Sequence, residues 1–209
     1  MGFRVDWVSL AGLSTDEALG RLGLLNTGEE VDYPPRDGYM WGVASDGRVI
    51  IAAEGYGAFT ADELAMLSAG ASLVAASAED NFCTTSIRGY GNGQKLWSAA
   101  CGGEDEADPQ DEIVTSGRLP PEYERTYARY AAEHRDGEEL HMEWVALDVA
   151  SELTGWGPES EIGSDLKFFV AARQRRPGEV RPAKPVNKLW FAAFVGVVAA
   201  LILFQIFRS

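Results

Sequence analysis

Apolar residues along this chain fall into short runs separated by polar turns, until one long apolar run near the C-terminus. The short runs have the length and alternation of half-buried β-strands. Predicted strands cover residues 3–10, 39–44, 48–54, 73–77, 83–90, 95–101, 113–115 and 166–172. Asp46-Gly47 and Asn92-Gly93 stand between neighbouring runs, and both dipeptides favour the tight turns of β-hairpins. In the first run, Phe3, Val5 and Trp7 are predicted to share one side of the strand.

Helices are predicted where capping residues precede short amphipathic stretches. Ser14 with Glu17, and Thr60 with Glu63, both match the capping-box pattern of a helix N-terminus. The helices that they open are predicted to run to about residues 22 and 69, each followed by a glycine. Further helices are predicted over residues 121–135 and 148–154, whereas residues 26–38 and 102–112 are predicted to be polar loops. The chain is therefore predicted to be α+β, a mainly antiparallel sheet with three to four short helices.

The long apolar run covers residues 189–207 and contains no charged residue. Its 19 residues would span about 28 Å as a helix, close to the thickness of a bilayer's hydrocarbon core. Trp190 lies near one end, where an indole favours the level of the lipid headgroups. The run is predicted to be a single transmembrane helix. The other interpretation is an apolar helix buried in a soluble core, but such helices rarely run this long without a polar face.

Basic residues precede the predicted membrane helix and indicate its orientation. The predicted linker, residues 173–188, contains prolines and only one acidic residue. Its juxtamembrane cations are Arg173, Arg175, Arg176, Arg181, Lys184 and Lys188. Because such cations stay on the cytoplasmic side, residues 1–172 are predicted to form a domain in the cytoplasm, anchored in the inner membrane.

Three small residues are spaced four apart within the predicted membrane helix. They are Ala192, Gly196 and Ala200. This spacing places them on one helix face, where another membrane helix could approach closely. The alternative is the ordinary use of alanine and glycine in membrane helices.

Charge is strongly segregated along the chain, and this bears on its partners. Residues 1–172 carry a net charge of −20, whereas residues 173–209 carry +6. Nucleic acid is not an expected partner, because phosphate neutralisation needs clustered cations on the binding domain. The acidic surface either serves solubility alone or meets a basic protein. The basic segment is expected to be attracted to anionic lipid.

An aromatic stripe follows the third predicted helix. Tyr123, Tyr127, Tyr130 and His134 recur at spacings of four, three and four residues, so they share one face. Two interpretations stay open. The stripe either packs on the sheet, or forms a partner surface, where tyrosine is an enriched anchor.

Sequence motifs for catalysis, metals or cofactors are missing. Residues 89–95 (GYGNGQK) lack the spacing and the following Ser or Thr of a phosphate-binding loop, and they lie between two predicted strands. His141 has no second histidine at the spacing of a metalloprotease. Cys83 and Cys101 suit a reduced, structural pair better than a redox switch or a zinc site. No catalytic residue, metal or cofactor is therefore predicted.

Three stretches resemble a loose group of small uncharacterised bacterial proteins. They are residues 12–19 (GLSTDEAL) with 22–24 (LGL), residues 60–64 (TADEL) with Leu67-Ser68, and residues 152–156 (ELTGW). The resemblance covers most of residues 5–160 and implies a shared α+β fold, with the membrane segment as an addition. It implies nothing about chemistry.

Together these features predict a tail-anchored, non-enzymatic interaction or accessory protein at the cytoplasmic face of a bacterial membrane. Its expected partners are the membrane and a protein in or at it. Two alternatives stay open. One is a membrane-tethered enzyme whose site is assembled from residues distant in sequence. The other is an immunity or inhibitor protein that binds a basic partner.

Overall fold

The α+β architecture predicted from the sequence is confirmed. The computed structural model describes residues 3–35, 38–55, 57–80, 84–101, 113–133, 142–158, 163 and 165–174. These residues all belong to one compact unit, Met1–Gln174. Nine strands form a single sheet in the order β2-β9-β3-β4-β1-β5-β6-β7-β8, and every neighbouring pair is antiparallel.

The described elements alternate along the chain as follows. The strands are β1 (Arg4–Ala11), β2 (Leu24–Val31), β3 (Tyr39–Val43), β4 (Val49–Glu54), β5 (Ser72–Glu79), β6 (Thr84–Gly91), β7 (Gln94–Cys101), β8 (Ile113–Gly117) and β9 (Phe168–Arg173). The helices are α1 (Thr15–Arg21), α2 (Ala61–Leu67), α3 (Pro121–Glu133) and α4 (Met142–Thr154).

The sheet is covered on both faces, so the domain has three layers. We call the side under α3 and α4 the first face, and the side under α1 and α2 the second face. The central strand β1 contributes side chains to both faces, because successive side chains of a strand point to opposite sides of the sheet. Val5 and Trp7 belong to the core of the first face, as predicted, whereas Val8 and Leu10 belong to that of the second. A chain of this size can thereby bury two apolar cores.

Both predicted capping boxes are present. Ser14 and Glu17 satisfy each other's backbone groups at the start of α1, and Thr60 and Glu63 do so at the start of α2. The predicted hairpins are present as well. The β6–β7 turn has φ of 50° at Asn92 and 81° at Gly93, as the tight hairpin turn requires. Residues 89–95 therefore form a hairpin.

The sequence-based predictions were wrong about residues 26–31. They belong to β2 rather than to a polar loop, and β2 is almost wholly exposed. Its backbone pairs with β9, with a register shift between Asn26 and Glu30. An edge strand needs only one hydrogen-bonded neighbour and little apolar content, so hydrophobic alternation does not reveal it. Likewise α4 begins at Met142, six residues before the predicted helix.

The predicted linker also begins too early. Arg173, assigned to it from charge, is the last residue of β9 and lies opposite Leu24 of β2. The backbone N–H of Gln174 then donates to the carbonyl of Gly23 at 2.7 Å. Strand pairing with β2, which the sequence does not reveal, extends the domain to these residues.

Candidate functional site

Much of the predicted membrane-binding part lies outside the described residues. This applies to the helix over residues 189–207 with Ala192, Gly196 and Ala200, and to the cations Arg175, Arg176, Arg181, Lys184 and Lys188. His134, His141 and Cys83 also lie outside them, whereas Cys101 is buried. None of the helices within the described ranges is both long enough and apolar enough to cross a membrane.

The Arg173 side chain forms hydrogen bonds within the folded domain. One of its guanidinium nitrogens, Nη2, donates to the Tyr39 hydroxyl at 2.9 Å and to Glu63 Oε1 at 3.1 Å. The hydrogen bond to Tyr39 and the charge of Glu63 raise the pKa of this guanidinium. Because Glu63 also closes the capping box of α2, the cation ties the end of β9 to the start of that helix.

The tyrosine stripe of α3 faces the sheet. Tyr123 is buried, packs against Trp97 at a ring distance of 6.2 Å, and lies parallel to Tyr127 at 6.1 Å. Burial raises the pKa of Tyr123 to about 12. Tyr127 and Tyr130 are partly buried against the same core. These tyrosines therefore help to attach α3 to the first face.

A buried ionic group lies on the second face, where β1, β5 and β6 adjoin. Asp6 is 2% exposed, and its Oδ2 accepts the Ala58 amide hydrogen at 2.7 Å. Ser77 lies opposite Asp6 on β5 and accepts a hydrogen bond from Arg88 at 3.2 Å. Burial raises the pKa of Asp6 and outweighs the opposing effects of Ser77, Ala58 and Arg88. Within the described residues, Asp6 Oδ1 and Arg88 Nε have no hydrogen-bond partner.

The Asp6–Ser77–Arg88 group has a clear structural role. The carboxylate holds the loop that leads from β4 into α2, and the guanidinium supplies a compensating charge. The Ser77 hydroxyl accepts its hydrogen bond from the Arg88 guanidinium, so it links that cation to the strand that carries Ser77. Within the described ranges there is also no cluster of histidine, cysteine or acidic residues that could hold a metal ion.

The two edges of the sheet differ in their chemistry. The β2 edge carries Glu29 and Glu30, together with an irregular register around Gly28. Charges and bulges of this kind prevent an edge from pairing with another strand. The β8 edge has the sequence IVTSG, without charge or proline, and pairs regularly with β7. Val114 on β8 is 69% exposed, the highest fraction among the large apolar residues of the described chain.

A cavity of about 250 Å³ opens on the first face, at one end of the sheet. Ser9, Val74, Gly89 and Trp97 follow one another across β1, β5, β6 and β7, and all four line it. Residues at the start of α3 and the end of α4 form its walls. No signal in the sequence indicated this cavity, because its lining residues come from seven separate segments of the chain.

Comparisons of the chain with models of protein families, with curated proteins and with solved structures find no match. The resemblance to a loose group of small bacterial proteins therefore stays a prediction. The features that bear on function are those of the chain itself: an edge strand, β8, that pairs only with β7 among the described residues, an aromatic-lined cavity and a segregated charge.

Proposed function

We propose that this chain is a tail-anchored interaction protein whose domain binds an extended segment of a basic protein along the β8 edge. The segment would add a tenth strand to the sheet. In this mode of recognition, backbone hydrogen bonds give affinity and exposed side chains of the edge strand give specificity. The proposed role is that of an adaptor rather than of a catalyst.

The contrast between the two edges supports this proposal most strongly. A sheet edge that pairs with nothing is a hazard, because it presents a row of unpaired backbone donors and acceptors. β2 carries charged residues and a register shift, whereas β8 carries neither and exposes Val114. An edge without such protection fits a chain in which another strand covers β8.

Charge favours a basic partner over a second copy of this chain. The sequence enters β8 directly from residues 102–112, of which six are acidic. The whole chain carries a net charge of −14, so two copies repel each other while a basic segment is attracted. A basic partner also agrees with the alternative of an immunity or inhibitor protein.

The membrane half of the proposal is supported by the sequence. Residues 189–207 form an uncharged run of bilayer length, and the cations before it favour a cytoplasmic position for the domain. An anchored domain meets partners in or near the membrane plane more often than a free one. The small-residue face of Ala192, Gly196 and Ala200 offers a second contact for a membrane-embedded partner.

The test is affinity isolation from solubilised membranes, with quantitative mass spectrometry, of the unaltered chain and of Val114→Lys. Lysine on an edge strand opposes strand addition. We expect a protein with a basic, extended segment to be recovered with the unaltered chain and lost with Val114→Lys. Because Val114 is exposed, we expect the substitution to change the free energy of unfolding by at most about 0.5 kcal/mol.

The matched control is Leu25→Lys, on the β2 edge. Leu25 is 52% exposed and belongs to the opposite edge strand, so the substitution adds the same charge at a comparable depth. The partner should be retained with Leu25→Lys and with the conservative Val114→Ile. A partner list that is the same for all four chains would contradict the proposal.

A further inference from the structure

The cavity on the first face exists because small residues are aligned beneath one large one. Ser9 on β1, Val74 on β5 and Gly89 on β6 are neighbours in register, and Trp97 on β7 lies beside Gly89. The indole lies across Gly89 so closely that a Cβ there would be 2.0 Å from Trp97 Nε1. The small residues Ser9, Val74 and Gly89 therefore form the floor of the cavity, and Trp97 forms one wall.

Two hydrogen-bond donors that line the cavity have no acceptor among the described residues. The Trp97 indole N–H donates to none of the described residues, although Trp97 is only 7% exposed. The Ser9 hydroxyl accepts from Arg48 Nη1 at 3.5 Å, and its own proton likewise goes to no described acceptor. Ser9 is 3% exposed and follows Val5 and Trp7, two large apolar residues, on the first face of β1. The Ser9 hydroxyl proton and the Trp97 indole N–H are therefore both available to an acceptor in the cavity.

The charges around the cavity exclude an ion as the preferred occupant. The Arg48 guanidinium is already matched, because it donates to Asp46 at 2.6 Å and to the carbonyl of Leu153 at 2.7 Å. Glu122 at the rim and the net charge of −14 oppose an anion. A cation would find one carboxylate among the lining residues, that of Glu122, and the positively charged Arg48 beside it. The remaining lining is largely apolar, as in small-molecule sites generally.

We propose that this cavity binds a small, neutral, flat apolar molecule with a carbonyl oxygen, the chemistry of an aryl ketone. Its ring lies over Val74, between Ser9 and the Trp97 indole, and its oxygen accepts from one of the two donors. The site lies on the opposite face of the sheet from the exposed side chain of Val114. It is therefore independent of the proposed function, and each can fail without the other.

The experiment is a titration of the full-length chain, labelled with ¹⁵N, with acetophenone, followed by the indole N–H resonances. The chain has six tryptophans, and Trp97→Phe identifies the resonance of Trp97 by its loss. We expect that resonance to shift in a saturable way. Cumene has nearly the same shape without the oxygen and should bind roughly two- to tenfold more weakly, the contribution of one hydrogen bond. Benzoate, the anionic probe, should bind more weakly than acetophenone.

Two variants locate the ligand. Val74→Phe fills the middle of the floor and should abolish the shift, while the other indole resonances report whether the fold is intact. Ser9→Ala removes one donor and should reduce the difference between acetophenone and cumene without emptying the cavity. An unmoved Trp97 resonance at saturating acetophenone would overturn the site. Equal affinities for acetophenone and cumene, or tighter binding of benzoate, would overturn the proposed ligand chemistry.

Discussion

At the scale of single residues, Asp6 combines an ionisable side chain with a buried position. A carboxylate with 2% exposure is costly to charge, and the raised pKa expresses that cost. Its compensations are the Ala58 amide and the nearby Arg88. The sequence places Asp6 in an alternating strand, but it does not show that Arg88 lies two strands away. That neighbourhood depends on the register of β1, β5 and β6, which local patterns do not encode.

Replacing Asp6 with Asn isolates the effect of this carboxylate on stability. Since the folded-state pKa is raised above the ordinary value of 3.8, the folded chain holds its proton more tightly than the unfolded chain. The unaltered chain should therefore lose stability relative to Asp6→Asn as the pH rises from 3.8 to the raised pKa. Above that window the difference should be constant. Urea unfolding of both chains at a series of pH values measures this difference in unfolding free energy. If the unaltered chain gained stability relative to Asp6→Asn as the pH rises, the raised pKa of Asp6 would be contradicted.

At the scale of elements, local signals predicted the starts of α1 and α2 and both hairpins, because caps and turns depend on neighbouring residues, whereas the start of α4 was missed by six residues. Both capping boxes and both hairpins lie where Ser14, Thr60, Asp46-Gly47 and Asn92-Gly93 predict them. β2 could not be predicted in this way. Its polar residues satisfy no hydrophobic pattern, and it is a strand only because β9, far along the chain, pairs with it. The end of β9 at Arg173 was missed for the same reason.

The close packing of β6 against β7 can be tested with a pair of glycine substitutions. Gly89→Ala places a methyl group within the Trp97 indole, and overpacking of this kind costs about 1–3 kcal/mol of unfolding free energy. Gly20→Ala, in α1, meets no heavy atom within 4 Å and should stabilise the chain by about 0.5–1 kcal/mol. Thermal or urea unfolding compares the two. Equal effects would show that the indole does not lie across Gly89.

At the scale of the whole molecule, the fold class and the segregation of charge could be predicted from the sequence, and the functional features could not. Hydrophobic runs predicted an antiparallel sheet with helices, but not the strand order. Without that order β8 is only a short apolar run, and nothing marks it as an edge. The cavity is likewise a product of tertiary structure, since only the register of four strands brings Ser9 and Trp97 into the lining of one cavity.

The predicted anchor is tested by truncation. Removing residues 189–209 should move the protein from the membrane fraction to the supernatant, because the uncharged run that partitions into lipid is lost. A control that lacks only Arg208 and Ser209 should stay with the membranes. Detection of the full-length chain in the supernatant would refute the anchor. Removal of the domain by protease added outside intact cells would refute its orientation.

The strand-addition proposal is tested most directly by a photo-reactive amino acid at position 114, with position 25 on the other edge as the control. Illumination of membranes that contain the full-length chain should produce an adduct from position 114. Mass spectrometry should map that adduct to an extended, basic segment of another protein, and position 25 should give none. An adduct with a second copy of this chain, equal adducts from both edges, or no adduct at position 114 would contradict the proposed role of β8.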